Sequence, residues 1–147
     1  MKKIALVASN GGHWIQLLKI TENLSKDYST IRISTSSKNS ADGSFYLIPD
    51  FSGFSPFAFL RTLAHGVRIL KSNTPTTAVI STGALPGLAV CLAARILGVK
   101  SIWIDSIANV TKLSLSGRLA KHICSKTYSQ WPHLCDGKLV FYSGRIL

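Results

Sequence analysis

Acidic residues are the scarcest feature of this 147-residue chain. It carries 6 Asp and Glu against 17 Lys and Arg, which gives a formal net charge of +11 at pH 7. A balance of this kind predicts an anionic partner, which could be nucleic acid, phospholipid headgroups or a phosphorylated ligand. The length indicates a single domain, residues 1–147, that is large enough to bury a core of its own.

Cysteines are also few, and long apolar runs are missing. Cys91, Cys124 and Cys135 form neither a CxxC pair nor a Cys/His spacing that binds metal, so we expect reduced thiols, no metal site and a cytoplasmic protein. The longest apolar run, residues 88–94, is too short to span a bilayer. The N-terminal lysine pair is followed by only about five apolar residues, which is not a signal peptide. Because apolar residues still make up 46% of the chain, we expect some apolar surface that needs a partner or a membrane.

Several nucleotide and hydrolase signatures are absent from the sequence. No G-x-G-x-x-G turn follows the first strand, and no carboxylate ends the second, so a dinucleotide cofactor is not expected. Neither a G-x-x-x-x-G-K-[ST] P-loop nor a G-x-S-x-G nucleophile elbow occurs. The basic residues are spread thinly and form no motif of a nucleic-acid reader. We therefore expect no cofactor and no nucleic-acid partner.

Strand and helix patterns alternate along most of the chain. The predicted strands span residues 1–8, 29–35, 45–48, 77–81, 100–104, 127–130 and 138–142. The predicted helices span residues 13–26, 57–72 and 88–97, and a last one begins at Ser114 or Ser116 and runs to Cys124. This alternation predicts an α/β fold, a parallel sheet with helices on both faces. In such sheets, ligands bind beyond the carboxyl ends of the strands.

A glycine turn, Asn10-Gly11-Gly12, joins the first strand to the first helix. Two glycines allow a tight turn and a close approach of the backbone to a ligand, and the free N–H groups of the helix face the same point. His13 lies in the first turn of the helix and can exchange a proton near neutral pH. The alternative interpretation is a plain tight turn followed by a capping or surface histidine.

Two further polar turns follow later strands, at residues 82–87 and 105–109. If the first, fourth and fifth strands are neighbours, these turns and the glycine turn line one cleft. His13 and Asp105 are then the candidates for proton transfer, and group transfer with acid–base help is the chemistry that remains. On its position alone, Asp105 could equally cap or fix a loop.

The helix predicted over residues 57–72 has two faces. Its apolar stripe consists of Leu60, Leu63, Val67 and Leu70. Its basic ridge consists of Arg61, His65, Arg68 and Lys71, and the aromatic residues Phe54 and Phe57 lie at or before its start. A basic ridge is often only a solvated face, but a ridge with exposed aromatics is typical of a protein that lies on an anionic membrane surface.

Three segments, at residues 9–20, 79–120 and 129–147, resemble one protein family. The most specific pieces are Gly11-Gly12-His13, residues 114–117, Gln130-Trp131-Pro132 and Gly144-Arg145. The chain resembles the acceptor-side, membrane-recruiting subunit of the two-part N-acetylglucosaminyltransferase of dolichol-linked oligosaccharide synthesis. It is similar also to the bacterial PssD-like subunits of capsule and exopolysaccharide glycosyltransferases.

This resemblance implies the Rossmann-like N-terminal half of a GT-B glycosyltransferase, similar to the first domain of MurG. A separate, small donor-binding subunit is expected to hold most of the UDP-sugar, so the chain alone should be inactive or nearly so. The complex is expected to add the sugar to a lipid-diphosphate-linked sugar acceptor at the cytoplasmic face of the cell membrane. Eukaryotic members begin with a membrane-spanning helix; here the expected association is peripheral.

The resemblance also implies residue roles. His13 is expected to be the base for the acceptor hydroxyl, and Asp105 stands where the family usually has Glu. The expected acceptor and phosphate contacts are Asn10, Gly11, Gly12, Thr82 and Gly83. The expected partner contacts are Gln130, Trp131, Pro132 and Arg145. The alternative is a non-catalytic membrane scaffold that recruits the partner subunit and does no chemistry.

Overall fold

A computed structural model describes residues 1–40, 43–53 and 55–146 of the chain. Its seven strands are β1 (Lys3–Ala8), β2 (Ser29–Ser34), β3 (Ser44–Leu47), β4 (Thr76–Gly83), β5 (Lys100–Ile104), β6 (Lys126–Ser129) and β7 (Val140–Tyr142). Its four α-helices are α1 (Gly12–Thr21), α2 (Pro56–Ser72), α3 (Leu85–Ile96) and α4 (Leu115–Ile123). Short 3-10 turns lie at Leu24–Lys26, Ser37–Asn39 and Pro132–Leu134.

The strands form one parallel sheet in the order β3-β2-β1-β4-β5-β6-β7. The chain moves outward from β1 through β2 to β3, returns to pair β4 with the other side of β1, and then moves outward again. The first, fourth and fifth strands are therefore neighbours, as the cleft hypothesis requires. The reversal between β1 and β4 is the place where parallel sheets of this topology bind ligands.

Helices cover both faces of the sheet, which confirms the predicted α/β architecture, but the coverage is unequal. On one face, α2, α3 and α4 pack against alternate strand residues such as Val7, Val79 and Trp103. On the opposite face, Trp14 and Leu17 of α1 pack against β1 and β4. The larger of the two cores therefore lies beneath α2, α3 and α4.

The predicted apolar stripe of α2 was wrong at one position. Leu60 is 61% exposed, and the buried face of the helix consists of Thr62, Gly66, Ile69 and Leu70. The reason is a close helix contact, since a Cβ on Gly66 would lie 3.1 Å from the Cβ of Ala93 in α3. Packing α2 on this small residue turns Leu60 to the outer surface.

Several element ends differ from the predictions, and the open choice of cap for α4 is decided. The first helix ends at Thr21, and residues 24–26 form a separate 3-10 turn rather than its last turn. Of the two possible N-caps of α4, the structure uses Ser114, whose hydroxyl accepts from the Gly117 N–H at 2.8 Å. The last strand begins at Val140 because residues 136–139 form a turn around the Asp136 carboxylate.

Candidate active site at the carboxyl edge of the sheet

The turns after β1 and β4 are hydrogen-bonded to each other at the reversal point of the sheet. The N–H of Ser9 donates to the carbonyl oxygen of Gly83 at 2.7 Å. The N–H of Ala84 donates to the Ser9 hydroxyl oxygen at 3.0 Å. These bonds hold the start of α1 and the start of α3 as one unit.

His13 is fixed in this unit by two bonds with Thr82. The ring Nδ1 lies 2.9 Å from the Thr82 carbonyl oxygen, and the Thr82 hydroxyl donates to the His13 carbonyl oxygen at 2.6 Å. A carbonyl oxygen can only accept, so Nδ1 carries the hydrogen and Nε2 of the neutral ring carries the lone pair. The ring is thereby held in the tautomer whose Nε2 can take a proton.

The glycines around His13 have different local functions. Gly83 has a φ of +120°, and a Cβ there would lie 2.9 Å from the imidazole Nδ1. Gly11 has a φ of +89° and Gly12 begins α1, and a Cβ on either would meet no atom within 4 Å. The space beside the N-terminus of α1 is therefore open, with no side-chain cap on its free N–H groups. Such N–H groups bind anionic oxygen atoms.

Hydrogen bonds join Asn10 to residues that follow the second strand. Its N–H donates to the hydroxyl of Thr35 at 3.0 Å, and its side-chain oxygen accepts from the Asn39 amide at 3.2 Å. Asn39 also donates to Ser34 at 2.7 Å. Asn10 is exposed at the rim of the glycine turn, where these bonds fix its position.

Asp105 is only 2% exposed, and each of its oxygens accepts two hydrogen bonds. One oxygen accepts from the Trp103 indole at 3.1 Å and the Ser114 hydroxyl at 2.6 Å. The other accepts from the Ser114 N–H at 2.9 Å and the Asn109 amide at 3.3 Å. A Cβ on Gly117 would lie 2.5 Å from this carboxylate. The geometry favours the loop-fixing role over proton transfer, because three of the four donors come from Asn109 of the loop and Ser114, the cap of α4, and the fourth is the indole of β5.

Gln16 and Gln130 link the segments that follow β1, β5 and β6. The sequence patterns did not single out Gln16. Its amide nitrogen donates to the Ser106 hydroxyl at 2.9 Å, and its oxygen accepts from the Ile107 N–H at 3.1 Å. The same oxygen accepts from the Gln130 amide at 3.0 Å. The one available signal is spacing, since Gln16 lies three residues after His13, about one helical turn away.

Gln130 lies inside this network and not on the surface. It is 2% exposed, donates to the Asp105 carbonyl oxygen at 3.1 Å and accepts from the Ile146 N–H at 3.2 Å. Its predicted role as a direct partner contact is therefore corrected to that of an internal link. It ties the C-terminal segment to the edge of the sheet.

The other three predicted partner residues reach the surface beside Gln130. Trp131 donates its indole N–H to the Ile107 carbonyl oxygen at 2.7 Å, and the Arg145 guanidinium lies 4.8 Å from the centre of its ring. Pro132 is exposed. A cavity of about 350 Å³ adjoins this patch, and Ile102, Ile104, Tyr128 and Ile146 contribute to its lining.

The outer surface of α2 carries the predicted membrane residues. Phe57 is 78% exposed, and Arg61, Arg68 and Lys71 are exposed along the same helix. Phe54, the remaining member of this set, lies outside the described residues. None of the helices in the described ranges combines the length and the apolar character that crossing a bilayer requires.

Comparisons with known proteins agree with this fold. The family model for "Oligosaccharide biosynthesis protein Alg14 like" matches residues 50–146. No curated protein matches the chain by sequence. MurG of Acinetobacter baumannii superposes with a TM-score of 0.79 at 15% identity, over 97% of this chain and 46% of that one.

Two further solved structures share the fold. UDP-GlcNAc 2-epimerase of Methanocaldococcus jannaschii, in complex with UDP-GlcNAc and UDP, superposes with a TM-score of 0.68 at 19% identity, over 87% of this chain and 40% of that one. A glycosyltransferase of Rickettsia africae superposes with a TM-score of 0.64 at 15% identity, over 98% and 42%. The chain therefore has the Rossmann-like fold of a GT-B N-terminal half, and it spans less than half the length of each of these proteins.

Proposed function

The chain belongs to the Alg14-like family of oligosaccharide biosynthesis proteins, and on that premise we propose that it is the acceptor-binding subunit of a split glycosyltransferase. In this proposal a second, small subunit holds most of the UDP-sugar. The two chains together transfer the sugar to a lipid-diphosphate-linked sugar acceptor at the cytoplasmic face of the membrane. Family membership supports a glycosyltransferase partner, and the MurG-like fold supports the reaction class.

The observation that carries the chemical part of the proposal is the fixed tautomer of His13. With Nδ1–H bonded to the Thr82 carbonyl oxygen, Nε2 accepts the proton of the acceptor hydroxyl as that oxygen attacks the anomeric carbon. The new bond joins oxygen to carbon, the bond from carbon to the UDP oxygen breaks, and UDP leaves. The Thr82 carbonyl then stabilises the imidazolium that forms. General bases of this kind contribute about 10²–10⁴ in rate.

The glycine turn supplies the acceptor-binding part of the proposal. The uncapped N–H groups of α1 beside Gly11 and Gly12 would receive oxygens of the acceptor diphosphate, because a helix N-terminus favours negative charge. Asn10 at the rim, and Thr82 and Gly83 across from it, would border the same acceptor. The net charge of +11 favours an anionic lipid-linked substrate over a neutral one.

The outer surface of α2 supplies peripheral membrane contact. Exposed Phe57 and Leu60 would enter the headgroup region, and Arg61, Arg68 and Lys71 would meet anionic headgroups. This combination of apolar and basic residues is what interfacial helices use. The surface patch of half-buried Trp131 and exposed Pro132 and Arg145 is the proposed contact for the donor-binding subunit.

One experiment distinguishes this proposal from the alternative in which the chain is only a scaffold. The chain is co-purified with a small donor-binding subunit, and transfer from a UDP-sugar to a lipid-diphosphate acceptor is measured for each chain and for the pair. Activity of the pair alone, lost in His13→Ala while the complex stays intact, supports the proposal. Transfer by this chain alone would contradict the split arrangement, and full activity of an intact His13→Ala complex would favour the scaffold.

A further inference from the structure

A second cavity lies at the opposite end of the sheet from the partner patch, between α2 and the edge strand β3. Its volume is about 420 Å³, and its lining residues are Tyr46, Leu47, His65, Arg68, Ile69 and Ser72. That volume falls within the range of small-ligand sites. Neither the glycine turn nor the β4 turn contributes to its lining.

The cavity opens at the edge of the sheet, since β3 is the last strand, and its floor is largely apolar. Tyr46 packs against the main core with its hydroxyl bonded to the side-chain oxygen of Asn73 at 3.3 Å. Leu47, the next residue, is 55% exposed, whereas Ile69 of α2 is only 7% exposed. Successive strand residues point to opposite faces, so the cavity reaches around the sheet edge.

The rim of the cavity carries one permanent cation, the guanidinium of Arg68, with His65 beside it. His65 and Arg68 lie three residues apart on α2, which places them on adjacent turns of the same helix face. The Ser72 hydroxyl donates to the backbone carbonyls of Arg68 and Ile69, both at 3.0 Å. None of the described lining residues is acidic, and the sequence from residue 51 to 104 contains no Asp or Glu. The charge at this rim therefore favours an anion.

We propose that this cavity binds one molecule of an anionic phospholipid. The lipid phosphate lies at the Arg68 guanidinium, which can bind two phosphate oxygens at once, and His65 lies beside it. The first part of one acyl chain covers Leu47, Tyr46 and Ile69. The inference rests on the proposed function, because the same helix carries the exposed Phe57 and Leu60 of the membrane surface. It adds a site for a single lipid molecule to the general attraction between α2 and anionic headgroups.

The direct test uses a lipid that is dissolved as monomers. Dihexanoyl phosphatidylglycerol, below its micelle concentration, is titrated into the full chain by calorimetry, with dihexanoyl phosphatidylcholine and inorganic phosphate as comparisons. Phosphatidylglycerols with longer acyl chains should bind more tightly, by about fourfold for each further methylene that is buried, until the cavity is full. Phosphatidylcholine should bind several-fold more weakly. Inorganic phosphate that binds as tightly as the anionic lipid would overturn the proposal.

Two arginines on α2 provide a matched pair of variants. Arg68→Gln should weaken binding of the monomeric lipid about tenfold, whereas Arg61→Gln, which lies outside the cavity lining, should leave it unchanged. Both variants should reduce binding to phosphatidylglycerol vesicles to a similar degree, since each removes one surface charge. Equal binding of the monomeric lipid by Arg68→Gln and the unchanged chain would overturn the proposal.

Leu47→Trp separates this site from the membrane surface. The larger side chain takes up part of the apolar surface that the acyl chain would cover, so binding of the monomeric lipid should be weakened while vesicle binding and the unfolding temperature are retained. Monomeric lipid that binds Leu47→Trp as tightly as it binds the unchanged chain would overturn the proposal. Loss of vesicle binding in this variant would contradict the proposed membrane surface on α2, because Leu47 lies outside that surface.

Discussion

The imidazole of His13 lies directly against Gly83, with no room for a side chain between them. A Cβ atom on residue 83 would be 2.9 Å from Nδ1 and 3.1 Å from Cε1 of the ring. The candidate base therefore depends on a glycine in a different turn, at the end of a different strand. This contact explains why two glycine-containing turns, after β1 and after β4, belong to one site.

Replacing Gly83 should both strain the backbone and displace the ring. Gly83→Ala puts a side chain at a φ of +120°, which alone costs about 1–3 kcal/mol, and adds the clash with His13. Gly11→Ala is the matched control, because its φ is +89° but its Cβ would meet no atom within 4 Å. Urea unfolding should show a larger loss for Gly83→Ala, with a shifted His13 ring resonance in that variant only. Equal losses and an unchanged ring resonance would contradict the contact.

The hydroxyl of Thr82 should contribute more to the free energy of unfolding than the hydroxyl of Thr127. Both residues are 1% exposed, but Thr82 donates to the His13 carbonyl oxygen, whereas the Thr127 hydroxyl has no hydrogen-bond partner among the described residues. Thr82→Val should cost about 0.5–1.5 kcal/mol, because it removes one hydrogen bond to a carbonyl that keeps its helical partner within α1. Thr127→Val should be neutral or stabilising. Chemical denaturation of both variants checks this, and losses of similar size would show that the Thr82 bond contributes little.

The strands could be predicted, but not their order in the sheet, because the strongest signals were local. The apolar runs of β1, β4 and β5 and the breaks between them gave the strands to within one or two residues. The outer face of α2 could not be predicted at Leu60, since the pattern of leucines fits two helix orientations equally. Only the contact of Gly66 with α3 selects between them.

The candidate site could likewise be predicted only where its residues are adjacent in the sequence. Gly11, Gly12 and His13 are adjacent in the sequence and could be read as one turn. The bond between Gln16 and Gln130 joins residues 114 positions apart, and no local pattern marks such a pair. From its position in the sequence alone, Asp105 fitted proton transfer and loop fixing equally well. Its four hydrogen bonds favour loop fixing.

Acid should loosen the turn before β7 only at low pH. Three backbone N–H groups, those of Lys138, Leu139 and Val140, donate to one Asp136 oxygen and lower its pKa from 3.8 to about 2. The carboxylate therefore stays ionised in the folded chain while it protonates in the unfolded chain, so its stabilisation is full above about pH 4. It should disappear as the pH falls toward 2. Amide exchange at Leu139 should rise relative to that at Val79 over this range, and in Asp136→Ala it should already be raised at pH 6.

Vesicle binding should depend on where the positive charge lies. Changing Arg61, Arg68 and Lys71 together to Glu should weaken binding to anionic vesicles more than about 100-fold, since each basic residue near a membrane contributes about 1 kcal/mol. The control changes Lys19, Lys26 and Lys138 to Glu, which are exposed and lie on α1, in the turn after it and in the turn before β7. Both triple variants lower the net charge from +11 by six, to +5. Co-sedimentation that falls equally in both would indicate a general charge effect and contradict the α2 surface.

A stability measurement distinguishes the two roles of Asp105. Asp105→Asn keeps the shape of the side chain but places an amide NH₂ against groups that donate, including the Ser114 N–H at 2.9 Å. If the carboxylate fixes the loop, this variant should lose about 2–4 kcal/mol of unfolding free energy, and amide exchange should rise across α4. Asn109→Ala, which removes only the 3.3 Å contact, should lose about 1 kcal/mol or less. Normal stability of Asp105→Asn together with a large loss of transfer activity in the complex would return Asp105 to the role of a proton-transfer group.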